Sequence, residues 1–312
     1  MADCLVTGGA GFIGSHIAEL LLSAGHAVTI LDNLSSGRKS SIPHGAKLVR
    51  GSVTDRKAVD KAMEGIDCVF HEAAIVSVAF SMKEPIKTME VNAGGTGTVL
   101  ESALSSGAKK VVIASSAAVY GDSPPPLRED SPLRPISPYG ESKLACERLA
   151  GSYSKEHGLK AVSLRYFNVY GPRQDPSSPY SGVIARFMDA ARRGGRPTIF
   201  GDGTQTRDFI YVKDVARANL HAMERGESGE FNIGSGKPVS VLWLWGSIKG
   251  IARSGGEPEF APAREGDIKH SLADISKAKK SLGFEPGYSL EAGLRETWTS
   301  SGPQEPPSPA QR

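Results

Sequence analysis

Cys4-Leu-Val-Thr-Gly-Gly-Ala-Gly-Phe-Ile-Gly14 is a short apolar run that breaks into clustered glycines. Residues 4–7 predict a strand, and the striped segment 15–24 predicts a helix. A second apolar run, 27–31, ends at Asp32, eighteen residues beyond Gly14. Gly9, Gly11 and Gly14 fit G-x-G-x-x-G, and Gly8, Gly11 and Gly14 fit the wider G-x-x-G-x-x-G. Such glycines allow a tight turn and let the backbone approach a pyrophosphate, whose charge is favoured at a helix N-terminus. An acid closing the second strand accepts hydrogen bonds from ribose hydroxyls and repels a 2′-phosphate, so Asp32 favours NAD over NADP. Arg38 and Lys39 could accommodate a phosphate, but they come several residues later, in a Ser/Gly-rich loop.

The alternation continues. Residues 47–50 predict a strand, 56–63 a helix, 67–70 a strand ending at His71-Glu-Ala-Ala74, and 84–105 a helix. Strands at 111–114 and 161–164 flank the helix that follows Tyr139. This order implies an α/β fold, a parallel, doubly wound Rossmann sheet. After Arg165 proline and glycine thicken, and helices are expected at 182–192, 213–225, 239–252, 274–281 and 289–297. Residues 1–165 are therefore read as a dinucleotide-binding domain, with some later segments rejoining its sheet. Residues 166–299 are read as a smaller lobe that closes over a substrate. Residues 300–312, rich in Pro, Ser and Gln, are expected to be disordered.

The bulk numbers exclude several classes. A net charge of +3 over 312 residues, with no basic run, gives no case for nucleic acid. Cys4, Cys68 and Cys146 lack C-x-x-C spacing and read as buried thiols of a reducing compartment, with no metal site. No apolar run approaches a membrane span, and the first residues lack the basic start of a signal peptide. A cytoplasmic protein is expected. His71, alone at a strand end, reads as structural.

Chemistry enters with Ser137-Pro-Tyr-Gly-Glu-Ser-Lys143. Pro138 suits a helix start, and Tyr139 and Lys143, four apart, share one helix face. A free tyrosine titrates near about pH 10, so ionisation near neutrality needs roughly three units, about 4 kcal/mol, from nearby positive charge. Lys143 and an oxidised nicotinamide ring would supply it. Taken alone, such a pair is more often two surface side chains one turn apart. The strand at 111–114 runs into Ser115-Ser-Ala-Ala-Val-Tyr-Gly121, which puts Ser116 at the carboxyl end of the sheet, where ligands of such folds bind. There it could donate to a sugar oxygen, although a serine pair is equally a loop cap.

Together these motifs resemble the extended short-chain dehydrogenase/reductase family, and within it the UDP-hexose 4-epimerases. The likeness covers roughly residues 3–298. It rests on the glycine loop, Asp32-Asn-Leu34, the two segments around Ser116 and Tyr139, Arg165-Tyr-Phe-Asn-Val-Tyr-Gly-Pro-Arg-Gln-Asp175, Gly201-Asp-Gly-Thr-Gln-Thr-Arg-Asp-Phe209 and Arg264-Glu-Gly-Asp267. The resemblance implies an enzyme with retained NAD. Ser116, Tyr139 and Lys143 would be catalytic: Tyr139 removes the proton of the sugar 4-hydroxyl, a 4-keto sugar forms and turns over, and hydride returns to its other face. It implies cofactor contacts at Gly8, Gly11, Phe12, Ile13, Asp32, Asn33, Ser35, Gly37, Ser52, Val53, Ala73, Ala74, Asn92, Ala114, Tyr139, Lys143, Tyr166 and Val169. It implies a UDP-sugar substrate, with Asn168, Arg207 and Arg264 on the diphosphate, Asp267 near the ribose, and Thr198 and Phe200 at the uracil. A homodimer through helices near 84–105 and 139–157 is implied as well.

Departures from the family pattern refine this reading. Ser52 and Val76 stand where many relatives carry Asp and Lys beside the cofactor. Dehydratases of the family carry an Asp-Glu pair where this chain has Ala117 and Ala118, which disfavours loss of water. The stretch Gln174-Asp-Pro176, with Gly182 and Ser271, looks like that of epimerases that accept N-acetylated sugars: a bulky tyrosine at Ser271 would close the pocket, and serine and glycine leave room for an acetamido group. The expected activity is interconversion of UDP-galactose and UDP-glucose, extended to the UDP-N-acetylhexosamines. A lyase or net oxidoreductase on the same scaffold, such as a nucleotide-sugar dehydratase or decarboxylase, or another sugar-nucleotide epimerase is the first rival, and an inert NAD-binding regulator the second.

Overall fold

The structure is a computed structural model that describes residues 1–175, 182–225, 227–263 and 268–300. Its first half alternates β1 (Asp3–Thr7), α1 (Phe12–Ser23), β2 (Ala27–Asp32), β3 (Lys47–Arg50), α2 (Arg56–Met63), β4 (Cys68–His71), α3 (Val78–Lys83), α4 (Pro85–Met89), α5 (Gly95–Ser106), β5 (Lys110–Ser116), α6 (Pro138–His157) and β6 (Lys160–Tyr166). Shorter pieces follow: β7 (Asn168–Tyr170), α7 (Val183–Arg192), β8 (Thr198–Phe200), β9 (Thr206–Tyr211), α8 (Val212–Arg225), β10 (Gly229–Ile233), β11 (Pro238–Ser240), α9 (Val241–Ala252), β12 (Glu259–Ala261), α10 (Ser276–Leu282) and α11 (Leu290–Ser300).

One seven-stranded sheet runs in the order β10-β6-β5-β4-β1-β2-β3, with every pairing parallel. Strand order reverses between β1 and β4, and that switch opens a crevice at the carboxyl ends of the strands. Both faces are apolar because both are covered. Cys4, Val6, Phe70, Val112 and Leu164 pack with Ile17 and Leu21 of α1, Val215 of α8 and Leu282 of α10. The alternate residues Leu5, Leu31, Val69, Val111 and Ile113 pack with Val59 of α2, Val99 of α5 and Cys146 of α6. This is the expected doubly wound fold.

A third core, built on Tyr170, Phe187, Tyr211, Leu244 and Trp245, fills the region of the small sheet β11-β9-β7 and the pair β12-β8. Among the helix starts that differ from expectation, α1 begins at Phe12 rather than at residue 15, and two more have a clear local cause. The helix expected from residue 239 begins at Val241, because Ser240 Oγ caps it by accepting from Trp243 N at 3.2 Å and Val239 pairs with Arg207 as strand. The helix expected from residue 274 begins at Ser276, since Asp274 folds its carboxylate onto Ser276 N at 2.8 Å. The segment 300–312 expected to be disordered lies, beyond Ser300, outside the described residues.

Candidate active site

β5 ends in two serines, and strand alternation sends them to opposite sides. Ser115 is buried and donates to Glu147 Oε1 at 2.5 Å. Ser116 is turned away from that carboxylate, and its Oγ accepts from Ala118 N at 3.2 Å, opening the 3-10 turn Ala117–Tyr120. The alternatives of ligand donor and loop cap therefore coexist in Ser116, since its hydroxyl proton remains to be given.

α6 starts beside that turn for local reasons. Ser137 Oγ accepts from Gly140 N at 3.1 Å, Pro138 occupies the first turn, and Tyr139 N donates to Ser81 Oγ at 3.1 Å. Gly140 is required by proximity: a Cβ there would lie 2.8 Å from Ala118 O. The helix N-terminus thus packs on the backbone that carries Ser116. Lys143 is buried, and its Nζ donates to Ala114 O at 2.7 Å. Ser116 thus stands at the end of β5, and Tyr139 and Lys143 on the first turns of α6, which pack against it.

The crevice beside them fits a dinucleotide. Gly8 has φ +69°, and a Cβ there would lie 2.7 Å from Ala73 N. At Gly14 a Cβ would lie 2.4 Å from Gly8 O. The loop is therefore closed to side chains and open to a ligand laid along its backbone. α1 starts at Gly11 with no side-chain cap, which leaves first-turn N–H groups to receive an anion. Asp32 accepts from Ala10 N at 3.0 Å and Leu34 N at 2.7 Å, and its oxygens keep lone pairs for ribose hydroxyls.

Other expected residues fall into three groups. Ser35 and Gly37 lie in the loop after Asp32, and Val53 is buried against Gly95. Ser52 Oγ is engaged with Thr54 Oγ1 at 2.8 Å, and Val76 is 65% exposed. Asn92 works as a clasp rather than an open side chain: it accepts from Ile75 N at 2.7 Å and donates to Ile75 O and Ser142 Oγ, each at 2.9 Å. It sits in a π-helical turn, Glu90–Gly94, between α4 and α5. Tyr166 is buried, donating to Glu72 at 2.8 Å and accepting from Asn219 at 2.7 Å.

On the substrate side, Thr206 O accepts from Ser271 N at 3.1 Å and Arg207 Nη1 at 3.0 Å, which places Ser271 beside Arg207. Gln205 Nε2 reaches Phe200 O at 2.7 Å, tying Thr198–Phe200 to the same group. Gln174 and Gly182 meet, a Cβ on Gly182 lying 3.4 Å from Gln174 Nε2. Asn168 is exposed at the start of β7. Arg264 and Asp267 lie outside the described residues.

His71 is core, as read: burial first, and Lys143 second, push it down to about 3, so it is neutral, between Thr7 Oγ1 at 2.8 Å and Thr96 Oγ1 at 3.0 Å. Two groups escaped the sequence reading. One is the Glu147–Arg165 pair beneath Ser115. The other is Asp208, buried, which accepts from Ser235 N, Ser235 Oγ, Gly236 N and Ala273 N and so ties β9 to two loops. An acid on the buried face of α6, one turn after Lys143, was the available signal for the first. No metal-binding group of His, Cys, Asp or Glu occurs among the described residues, and no described helix is long and apolar enough to cross a membrane.

The profile of the NAD dependent epimerase/dehydratase family matches residues 4–234. The solved UDP-glucose 4-epimerase of Thermotoga maritima, with UDP-glucose, superposes with a TM-score of 0.93 at 41% identity, over 96% of this chain and 98% of that one. The UDP-N-acetylglucosamine 4-epimerase of Methanobrevibacter ruminantium, in complex with UDP-N-acetylmuramic acid, gives 0.93 at 40% identity with the same coverage. A UDP-N-acetyl-alpha-D-glucosaminuronate decarboxylase of Bacillus cytotoxicus is 38% identical over 94% of this chain and 96% of its own.

Proposed function

The chain belongs to the NAD-dependent epimerase/dehydratase family, and from that premise we propose that it is a UDP-hexose 4-epimerase. It interconverts UDP-galactose and UDP-glucose and, through the small residues Gly182 and Ser271, the UDP-N-acetylhexosamines. The observation that carries the reading is the packing of the start of α6, which bears Tyr139 and Lys143, on the turn that leaves Ser116, whose next residues, Ala117 and Ala118, offer no acid or base for eliminating water.

The residues divide the work. The first turn of α1, the glycine loop and Asp32 hold NAD. When bound, NAD supplies a two-electron acceptor and donor, so the net redox change over a cycle is zero. Tyr139 takes the proton of the sugar 4-hydroxyl and later returns it. Ser116 holds the same oxygen through its free hydroxyl proton. Lys143, anchored on Ala114 O, sets a positive charge one turn from Tyr139 and reaches for the nicotinamide ribose. Arg207 and Asn168 hold the diphosphate, and Thr198 and Phe200 the uracil. The sugar must turn over between the two half-reactions, so the lobe grips the nucleotide and leaves the hexose room.

The purified protein is to be incubated without added cofactor, separately with UDP-galactose and UDP-N-acetylgalactosamine, and followed by proton NMR. Conversion to the gluco epimers at unchanged mass is expected. A product lighter by water would instead establish a dehydratase, and loss of carbon dioxide from UDP-glucuronic acid, offered in a separate incubation, would establish the lyase reading that the decarboxylase relative favours.

A cytoplasmic homodimer completes the proposal. Met82 and Ile86, 62% and 84% exposed on α3 and α4, form an apolar strip next to α6. Ile86→Glu is expected to yield monomers in sedimentation velocity.

A further inference from the structure

The loop leaving β7 crosses back over the cofactor half of the molecule. Pro172 O is 3.0 Å from His16 Nε2. Arg173 Nη1 donates to Ser15 Oγ at 3.1 Å, and its other amino group pairs with Glu19. Asp175 then meets Arg38, Oδ2 to Nη2, at 2.7 Å. Residues 172, 173 and 175 are thus stitched to α1 and to the loop that follows Asp32.

Arg38 is held from its other side by the glycine loop. Its N donates to Ala10 O at 2.9 Å, and Gly37 packs so closely on Ala10 that a Cβ would lie 2.9 Å from the Ala10 carbonyl carbon. Ala10 N in turn donates to Asp32. The Arg38 backbone and the Asp32 carboxylate therefore hang on one residue, at the end of the crevice where a ribose binds. A guanidinium there is the group that a 2′-phosphate would attract. In this chain it is turned onto a carboxylate. The two side chains are 64% and 39% exposed, so the pair adds little to folding, and its consequence lies with the ligand.

We propose that Asp175 is a determinant of cofactor choice. By engaging Arg38 it withholds that guanidinium from a 2′-phosphate and offsets its charge, which leaves the repulsion of Asp32 unopposed, so the crevice keeps NAD and rejects NADP. The proposal rests on the NAD-binding reading of the crevice and is independent of the reaction catalysed.

Wild type, Asp175→Asn, Arg38→Ala and the double variant are equilibrated with equal NAD and NADP, gel-filtered and unfolded, and the released dinucleotides are quantified by mass spectrometry. Asp175→Asn is expected to raise the NADP-to-NAD ratio about tenfold at low salt, the worth of one regained charge-assisted contact. Arg38→Ala in the double variant should abolish the gain, and about 0.5 M salt should remove most of it. An unchanged ratio in Asp175→Asn, or a raised ratio that survives Arg38→Ala, overturns the proposal. Equal loss of both dinucleotides would assign Asp175 to holding the loop and would overturn it too. A wild type that releases neither overturns the cofactor reading itself. Turnover is not part of the readout, so failure of the epimerase assignment leaves this test intact.

Discussion

Arg165 and Glu147 face each other in a two-pronged ion pair beneath the candidate site. Nε and Nη2 of Arg165 each lie 2.8 Å from a carboxylate oxygen, and the two side chains are 2% and 3% exposed. Burial works against the Arg165 charge, but Glu147 and Tyr120 more than offset it and hold the guanidinium charged. The same carboxylate takes Ser115, the neighbour of Ser116, and follows Lys143 by one helical turn. The pair thus joins the strand under Ser116 to the helix that bears Lys143.

Removing one partner strands the other. Glu147→Ala is expected to cost about 3–5 kcal/mol, because a buried guanidinium loses its counter-charge. Chemical denaturation measures this, and Glu147→Gln, which keeps an acceptor, should lose less than Glu147→Ala.

Glu72 behaves in the opposite sense. Burial raises its carboxyl from 4.5 to about 7, against the pull of the Tyr166 hydroxyl and Lys143. The folded chain keeps a proton that the unfolded chain releases, so stability falls as pH rises through that window and levels off above it. The shift corresponds to about 3 kcal/mol. Glu72→Gln should therefore be more stable than wild type at pH 8, with the gap closing toward pH 5. A gap of equal size at both pH values would contradict this.

Tyr139→Phe separates chemistry from structure. The bond from Tyr139 N to Ser81 survives the change. We expect an unchanged Tm and a kcat lower by about 10²–10⁴-fold, the worth of a positioned proton-transfer group. Stopped assays and thermal melts on one preparation test both halves.

Ser271→Tyr tests the pocket. Thr206 O fixes Ser271 beside Arg207, and on the proposed reading a phenol ring there would take the space of an acetamido group. Turnover of UDP-N-acetylgalactosamine should fall about 10–100-fold relative to UDP-galactose. Equal losses on both substrates would remove Ser271 from a role in selectivity.

The glycine loop and the apolar runs made the sheet legible, because strands buried on both faces carry continuous hydrophobic sequence. β10 did not announce itself. Its Gly-Glu-Phe-Asn-Ile alternates, and its polar positions are used inside, Asn232 accepting from the Tyr120 hydroxyl at 2.6 Å. The short strands β7, β8 and β9 are set by tertiary pairing rather than by their own pattern. Ser116, Tyr139 and Lys143 stood out as candidates because the proposed chemistry demands those residue types. Glu147 and Arg165 were not, since a charged residue in a helix or at a strand end reads as a solvated one until its partner is located. Asn92, expected to face ligand, has its amide engaged by Ile75 and Ser142, partners that its sequence neighbourhood did not suggest.

The place of β10 on β6, register Gly229 to Val162, also dictates when the molecule can become whole. A nascent chain that has released β1 through β6 presents an unpaired sheet edge. One face of that sheet still awaits Val215 of α8, Phe231 of β10 and Leu282 of α10. The nucleotide-binding half therefore cannot finish folding on the ribosome ahead of the rest, and completion waits for residues made more than sixty positions after β6. The sheet that bears the crevice is completed only after those residues have emerged.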